Sequence, residues 1–600
     1  GNKGSKNLIY INNKRYKISK KFSKLQKAID EIKYISNKKN LDIEFAINKQ
    51  NKVFILQIRT LNIPKIYDKS KINIQDTYEK LEKKITKLKK THNSLFGKTT
   101  FFGVMPDWNP AEIIGIKPKP LALSLYRELI TDHIWAENRK IYGYHDLSQF
   151  HLMTTFFGTP FVDVRIDFNS WIPKKLDKKI SEKLVNYYLQ NFKKKQYLHD
   201  KIEFEIIFSC LSLSTKQKLN KLLKKKFKKD EIKNIFNELR NINSIAYKQM
   251  FQDIQRIEEL KKKQSLIQNS NLYYIDKIYW LVEDCKKFGT LPFAGLARCA
   301  FIATEILNSF VEQKILTENE KLKFLSNIKT ITFQMKDDIK MGKKFFIKKY
   351  GHLRPGTYEI TSKNYEENFD NYFDIKKNFK RNKIKEFKFS KIQKGKINRF
   401  IKNNGIYKNF DDLISFIQKA IKYREYSKFI FTKSIDLVFR NLKAFGNKYK
   451  INSDDLSHLK INEILDLNFN LSFESPIKEL KKNITFNKKE YLMNKSIFLP
   501  DVITTGKDLY LVNMEESKIN YISNKNLVSN LKEFKKTKKN EDLNSIICIE
   551  NADPGYDFLF SKNIKGLITK YGGQNSHMAI RCAELNLPAL IGVGENLYNK

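Results

Sequence analysis

Between residues 41 and 60, apolar and polar side chains alternate in two runs separated by a polar turn at Asn48 to Lys52. That period of two predicts a β-hairpin. On the first run Ile43, Phe45 and Ile47 share one face, which leaves Glu44 on the other. On the second, Phe54, Leu56 and Ile58 alternate with Ile55, Gln57 and Arg59, so a carboxylate, an amide oxygen and a guanidinium line one surface. The same alternation from Phe157 to Phe168 predicts a strand with Asp163, Arg165 and Asp167 on one face, bounded by Phe, Pro and Trp171. Elsewhere the period is helical: residues 70 to 95 (a Lys/Glu-rich connector), Leu121 to Tyr142, most of 172 to 345 with stripes such as Leu296, Ala300, Ile302, Ala303 and Ile306, and the basic stretch 376 to 475, which includes Arg424-Glu-Tyr-Ser-Lys-Phe. Residues 476 to 494 are polar and Lys/Asn-rich, the pattern of a hinge.

Near the C-terminus Leu567 and Ile568 lead an apolar strand into Gly572-Gly573. Asn575 or Ser576 then caps a helix carrying Met578, Ala579, Ile580, Cys582, Ala583 and Leu585. His577 falls in its first turn, where free N–H groups and the helix dipole favour a bound phosphate. Glycine at 572 and 573 lets backbone approach whatever sits on the imidazole. A histidine so placed suits covalent phosphoryl carriage; the plainer alternative is a capped helix with a buried, hydrogen-bonded histidine. Two loops concentrate polar groups: Tyr350-Gly-His352-Leu-Arg354-Pro-Gly-Thr-Tyr-Glu359 and Asp553-Pro-Gly-Tyr-Asp557.

Composition narrows the class. Six hundred residues imply roughly three to five domains. The net charge of +48 is almost all lysine. Because asparagine and isoleucine are abundant too, the bias is that of an AT-rich genome and speaks against a dedicated nucleic-acid role. Five cysteines without CxxC spacing fit a reducing cytosol. No apolar run of membrane-spanning length is apparent. The N-terminus Gly-Asn-Lys-Gly-Ser-Lys has neither a signal-peptide core nor a starting Met, so the expectation is a cytoplasmic chain that begins inside a longer protein. Oligomeric state is not legible.

The series Gly572, Gly573, Ser576, His577, Ala579, Ile580, Glu584, Leu585, Pro588, Ala589 and Gly592 resembles the swivelling phosphohistidine domain of the phosphoenolpyruvate synthase and pyruvate phosphate dikinase group. Asp42-Ile-Glu44-Phe-Ala46 and Leu56-Gln57-Ile-Arg59 are similar to the end of the ATP-grasp domain of the same group. The resemblance implies ATP as substrate with Mg²⁺, Glu44 and Gln57 as metal ligands, Arg59 as a phosphate clamp, and Gly572, Gly573 and Ser576 beside the phosphate on His577. It implies that ATP gives a pyrophosphoryl group to the histidine, that AMP and phosphate leave, and that the remaining phosphoryl group passes to an acceptor.

The expected fold is multidomain, α/β and α. Residues 1–62 are the C-terminal part of an ATP-grasp domain and 63–100 a helical connector. Residues 101–375 form a largely helical acceptor domain, 376–494 a basic helical region and hinge, and 495–600 an α/β swivelling phosphohistidine domain. This order is similar to that of rifampicin phosphotransferases. By Asp-Trp-Asn-Pro-Ala-Glu (107–112) and Gly-His-Leu-Arg-Pro-Gly-Thr-Tyr (351–358), the chain also resembles the L-glutamine kinases of capsular phosphoramidate synthesis. That likeness implies L-glutamine as the small-molecule acceptor. Arg165 or Arg354 would then meet its carboxylate, Asp163, Asp167 or Glu359 its ammonium, and His352 would take the amide proton. The rival readings are an antibiotic phosphotransferase, a phosphoenolpyruvate synthase-like enzyme and a basic polyanion-binding scaffold. Neutral imidazole is the nucleophile in loading, so activity is expected to fade on acidification.

Overall fold

The computed structural model describes residues 8–11, 20–38, 41–60, 74–373, 387–468, 475–514, 519–523, 525–534, 543–573, 576–585 and 587–598. By internal contacts the chain forms two compact units, Gly1–Lys87 with Phe498–Met514, and Leu88–Ile497 with Glu515–Lys600.

In the first unit the hairpin forms where the alternation places it, from strands Leu41–Ile47 and Val53–Thr60, but an irregularity in register between Glu44 and Phe45 breaks the expected shared face, and Phe45, Phe54, Leu56 and Ile58 are exposed. Asn48 closes the turn by accepting from the backbone of Gln50 and Lys52. Helix Lys20–Ser36 precedes it. The segment Phe498–Met514, expected to open the C-terminal domain, folds instead with this unit. Strand Leu511–Met514 pairs antiparallel with Leu8–Ile11, and Tyr510 stacks on Tyr78 while donating to Glu82.

The second unit is built on long helices. Lys229–Asn269, Leu291–Glu312 and Phe410–Lys448 pack along apolar stripes, cross-linked by Gln264 to Ile430 O and Ser434, and by Tyr247 to Asp412. The helical run Tyr274–Glu312 is long and apolar enough to cross a membrane, contrary to the sequence reading. Yet 78% of its most apolar stretch is buried within the protein, which marks it as a core element.

Leu121–Tyr142 is helical as its period predicts, in three pieces: Pro120–Tyr126 runs into a π-helical turn, Arg127–Thr131, and then into Ile134–Ile141. Two other expectations are corrected. The strand Thr159–Asp163 stops where alternating charges were expected to continue. Asp163 accepts from the backbone N–H of Arg165 and Ile166 and so caps a helix, Val164–Ser170. Capping overrides the alternation, and Arg165 and Asp167 lie on a buried helix rather than a strand face. Finally, the polar stretch taken for a hinge is a continuous helix, Pro476–Lys495. Proline occupies its first turn, and Leu480, Ile484, Asn487 and Asn494 are buried.

The C-terminal part is α/β. Four parallel strands, Leu531–Glu533, Ile546–Asn551, Gly566–Tyr571 and Ala589–Ile591, are joined at the far edge by the antiparallel strand Asn520–Tyr521. Helix His577–Glu584 packs Met578 and Cys582 into the core. That core continues without a break into Ile331–Phe373: Phe346, Tyr350, Tyr365, Phe369, Tyr372 and Phe373 share one buried cluster with Phe558, Leu559 and Met578, and Tyr365 and Tyr372 lie ring against ring with Phe558.

Candidate functional site

Strand Gly566–Tyr571 ends at Gly572, whose positive φ of 153° and contact with Ala552 and Ile591 leave no room for a side chain. Ser576 caps the following helix by accepting from Ala579 N–H; Asn575 lies outside the described residues. His577 is thereby fixed in the first helical turn, 5% exposed.

Both ring nitrogens are held by carboxylates. Nδ1 lies 2.8 Å from Glu425 of helix Phe410–Lys448, and Nε2 lies 2.9 Å from Asp557. Burial pulls the imidazole pKa down, but Asp557 and Glu425 outweigh it and raise the value to about 9. In this arrangement the ring is an imidazolium donating from both nitrogens, not a nucleophile. Glu425 is buried as well, yet the same pairing holds its carboxyl at about 2.

His577 and Glu425 form part of the wall of a cavity of ≈ 100 Å³. The motif Asp107-Trp-Asn-Pro-Ala-Glu112 lines much of it, with Asp107 and Asn109 both in left-handed backbone conformation. Glu112 reaches back to accept from Gly573 N–H at 3.1 Å, so one motif bounds the cavity and grips the histidine loop. Arg424, Lys428 and Asp553 add charge near the histidine, while Phe293, Phe301 and Phe431 supply apolar wall. Burial pushes the carboxyls of Glu112 and Asp553 up, against the pull of Lys428.

A second charged group in the cavity wall is built on Trp171. The guanidinium carbons of Arg139 and Arg298 lie 4.1 Å and 4.4 Å from its ring centre. Arg139 donates to Asp107 Oδ1 at 2.9 Å, and Arg298 donates through Nη2 to Ser209 O. Six buried polar atoms of these and adjoining residues have no partner within the protein: Nε and Nη1 of Arg298, Nε of Arg139, Oδ2 of Asp107, Nε1 of Trp108 and Oδ1 of Asn109. Leaving such groups unpaired costs roughly 1–3 kcal/mol each, so a cavity lined with them is built for a polar molecule.

None of the six acceptor candidates read from the sequence lines this cavity. Asp163 caps its helix, and Arg165 is spent on the carbonyls of Leu88, Lys90 and Gly97. Asp167 lies one step removed, accepting from Trp171 Nε1 at 2.8 Å; burial and then the Asp107 charge push its carboxyl far up. His352 packs on Phe429 and hydrogen-bonds its carbonyl, with burial taking its pKa down to about 4. Arg354 pairs with Asp436 in the interior, and Glu359 caps Thr361 at the surface. Their neighbours Thr357 and Tyr358 do reach the cavity, and Thr357 donates to Asp553. The residues that were missed, Arg139 and Arg298, sit within amphipathic helices, where only their full burial distinguishes them from surface arginines.

At the hairpin, Glu44 and Gln57 stand directly opposite each other. Arg59 donates to Gln57 at 2.7 Å and lies 3.6 Å from Glu44, all three well exposed. Mg²⁺ is commonly held by one or two carboxylates while phosphates and water complete its shell, so Glu44 is a fitting donor, whereas the Gln57 oxygen is engaged by Arg59 in this arrangement. Among the described residues no group of three or more His, Cys, Asp or Glu could hold a metal.

No curated protein matches the chain. Residues 542–599, which contain the strand and helix that present His577, match the mobile domain of PEP-utilising enzymes, and this supports a phosphotransferase of the phosphoenolpyruvate synthase and pyruvate phosphate dikinase kind.

Proposed function

We propose that the chain acts in the cytoplasm as a dikinase-type phosphotransferase that carries a phosphoryl group on His577 to the side-chain amide of L-glutamine, with AMP and phosphate released from ATP. The observation that carries this reading is that His577 opens onto a buried cavity lined by unsatisfied polar groups. Its volume of ≈ 100 Å³ favours a small acceptor over a rifamycin-sized one. Its concentrated, buried charge favours an enzyme over a polyanion-binding scaffold, which needs exposed charge.

Phosphoryl transfer requires positioning and charge neutralisation. Arg424 and Lys428 stand beside Glu425 and His577 to neutralise the phosphoryl oxygens. One of the two carboxylate contacts on the ring gives way to phosphorus while the other holds the remaining N–H. The P–N bond to the ring breaks and a P–N bond to the amide forms. The ring leaves neutral, and the amide proton ends on the freed nitrogen. The product is the doubly hydrogen-bonded imidazolium described above, whose protonated nitrogens disfavour reversal. Glu44 and Gln57 would hold Mg²⁺, which neutralises nucleotide phosphates when bound, and Arg59 would clamp them.

The test is to incubate the full-length protein, with its whole nucleotide-binding domain, with ATP and Mg²⁺ and offer L-glutamine, pyruvate, a rifamycin or water alone, following AMP and new phosphorus resonances. Glutamine-dependent product is expected, and His577→Ala should lose both AMP and product. Unchanged yields in that variant would remove the carrier role.

A further inference from the structure

The transfer chemistry uses His577 and the charges around Glu425, but leaves the Arg139–Arg298–Asp107 group without a task. Arg298 is fully buried on helix Leu291–Glu312. Its Nη2 is satisfied by Ser209 O, and its plane is braced by Trp171 and by Tyr144, 5.4 Å away. Trp171 is in turn fixed by Asp167. Nε and Nη1 of Arg298 remain unpartnered, and among the described residues no carboxylate forms an ion pair with its guanidinium. A buried cation so held calls for an anionic ligand.

Next to it, Asp107 spends Oδ1 on Arg139 and leaves Oδ2 unpartnered. Trp108 Nε1 adds a free donor and Asn109 Oδ1 a free acceptor. The same wall therefore offers N–H groups to an anion and carboxylate or amide oxygens to a cation. Ile113, Ile130 and Ala297 supply the apolar surface against which a short aliphatic chain would lie. A free α-amino acid carries that combination of groups, with carboxylate and ammonium on one carbon and a methylene stem beyond. Pyruvate lacks the ammonium.

Resting on the reading that His577 delivers its phosphoryl group into this cavity, we propose that Arg298, braced on Trp171, is the specificity-determining residue that reads the carboxylate of an α-amino-acid acceptor, with Oδ2 of Asp107 taking its ammonium. Arg139 is a positioning residue that orients Asp107. Sites built to pair a charged group reject analogues lacking it far more strongly than apolar pockets reject a missing methylene.

The experiment compares L-glutamine with 4-aminobutanamide, which lacks only the carboxylate, and with glutaramate, which lacks only the ammonium. Wild-type protein is expected to prefer L-glutamine over either by roughly 100-fold or more in kcat/KM. Arg298→Lys keeps the charge but not the N–H geometry. It should raise KM for L-glutamine by roughly 10-fold or more with kcat little changed, and narrow the preference over 4-aminobutanamide. Label transferred from [β-³²P]ATP to His577 should be unchanged. Equal use of the three compounds by wild-type protein would overturn the assignment with no variant needed, as would an Arg298→Lys protein with unaltered KM and preference. Normal loading of His577 with no transfer to any of the three would overturn the glutamine reading together with this one. Failure to load, in protein that carries the whole nucleotide-binding domain, would count against the carrier role itself.

Discussion

Replacing Glu425 by Gln tests the electrostatics of the proposed carrier, His577, directly. The ring of His577 stands at about 9 against an ordinary value of 6.5, a net preference for the cation worth about 3 kcal/mol. Burial opposes that preference, so the two carboxylates together supply more than this. Asp557 is the stronger contributor and Glu425 the lesser, with a share on the order of 1 kcal/mol or more. Glu425→Gln should therefore lower the ring's value by on the order of one pKa unit or more. The assay is a pH titration of ¹⁵N-labelled histidine by NMR, with the His577 resonance assigned by its loss in His577→Asn. A raised folded-state pKa stabilises the paired arrangement fully below 6.5, and the gain is lost as pH rises from there through 9. The wild-type arrangement should thus weaken on the alkaline side, and the variant should weaken about one pH unit earlier. On the acid side Glu425, held at about 2, keeps the pair intact until far below neutrality. A wild-type ring titrating near 6.5, or a variant ring still at about 9, would refute the reasoning. The expected fading of activity on acidification then belongs to loading, where the imidazole must be neutral, and not to this arrangement.

Further outcomes follow from packing. A methyl group at Gly555 would overlap the carbonyl of Arg354, whereas one at Gly395, in helix Lys391–Asn404, meets nothing within 4 Å. Gly555→Ala should cost about 1–3 kcal/mol in urea unfolding, and Gly395→Ala should gain about 0.5–1 kcal/mol in the same assay. Reversal of either sign would show that these contacts are misjudged. Asp167 is held protonated by burial while the unfolded chain releases its proton above about 3.8, so native stability falls as pH rises. Asp167→Asn should remove that slope and look more favourable relative to wild type at pH 7 than at pH 4 by thermal unfolding; an equal difference at both would contradict it.

Local pattern served well where one element explained its own residues. The hairpin, its turn at Asn48 and the Ser576 cap before His577 each rest on short-range chemistry visible in the letters. It failed where a local signal had a competitor. Asp163-Val-Arg-Ile-Asp167 alternates like a strand, but an aspartate three residues ahead of a free backbone N–H is also a helix cap, and the cap prevails. The cavity was only half legible. Asp107 to Glu112 stood out as an irregular Pro- and Trp-rich motif, and Thr357, Tyr358 and Asp553 lie in loops already noted. Arg139, Arg298 and Glu425 come from three helices far apart in sequence, and nothing along the chain says which arginine turns inward. His352 and Arg354 were conspicuous by composition and are spent on internal pairing.

The aromatic side chains of Ile331–Phe373 that wall Phe558 and Met578 bear on how far the carrier can travel. Tyr365 and Tyr372 lie ring against ring with Phe558, and two buried rings at about 1.5–3 kcal/mol each put the cost of parting them at several kcal/mol. A swing that left them behind would wet an oily surface on both partners. If the histidine domain travels as proposed, the lower-cost journey keeps the rings as ballast, and the itinerant body is then larger than the sheet and helix that bear the histidine.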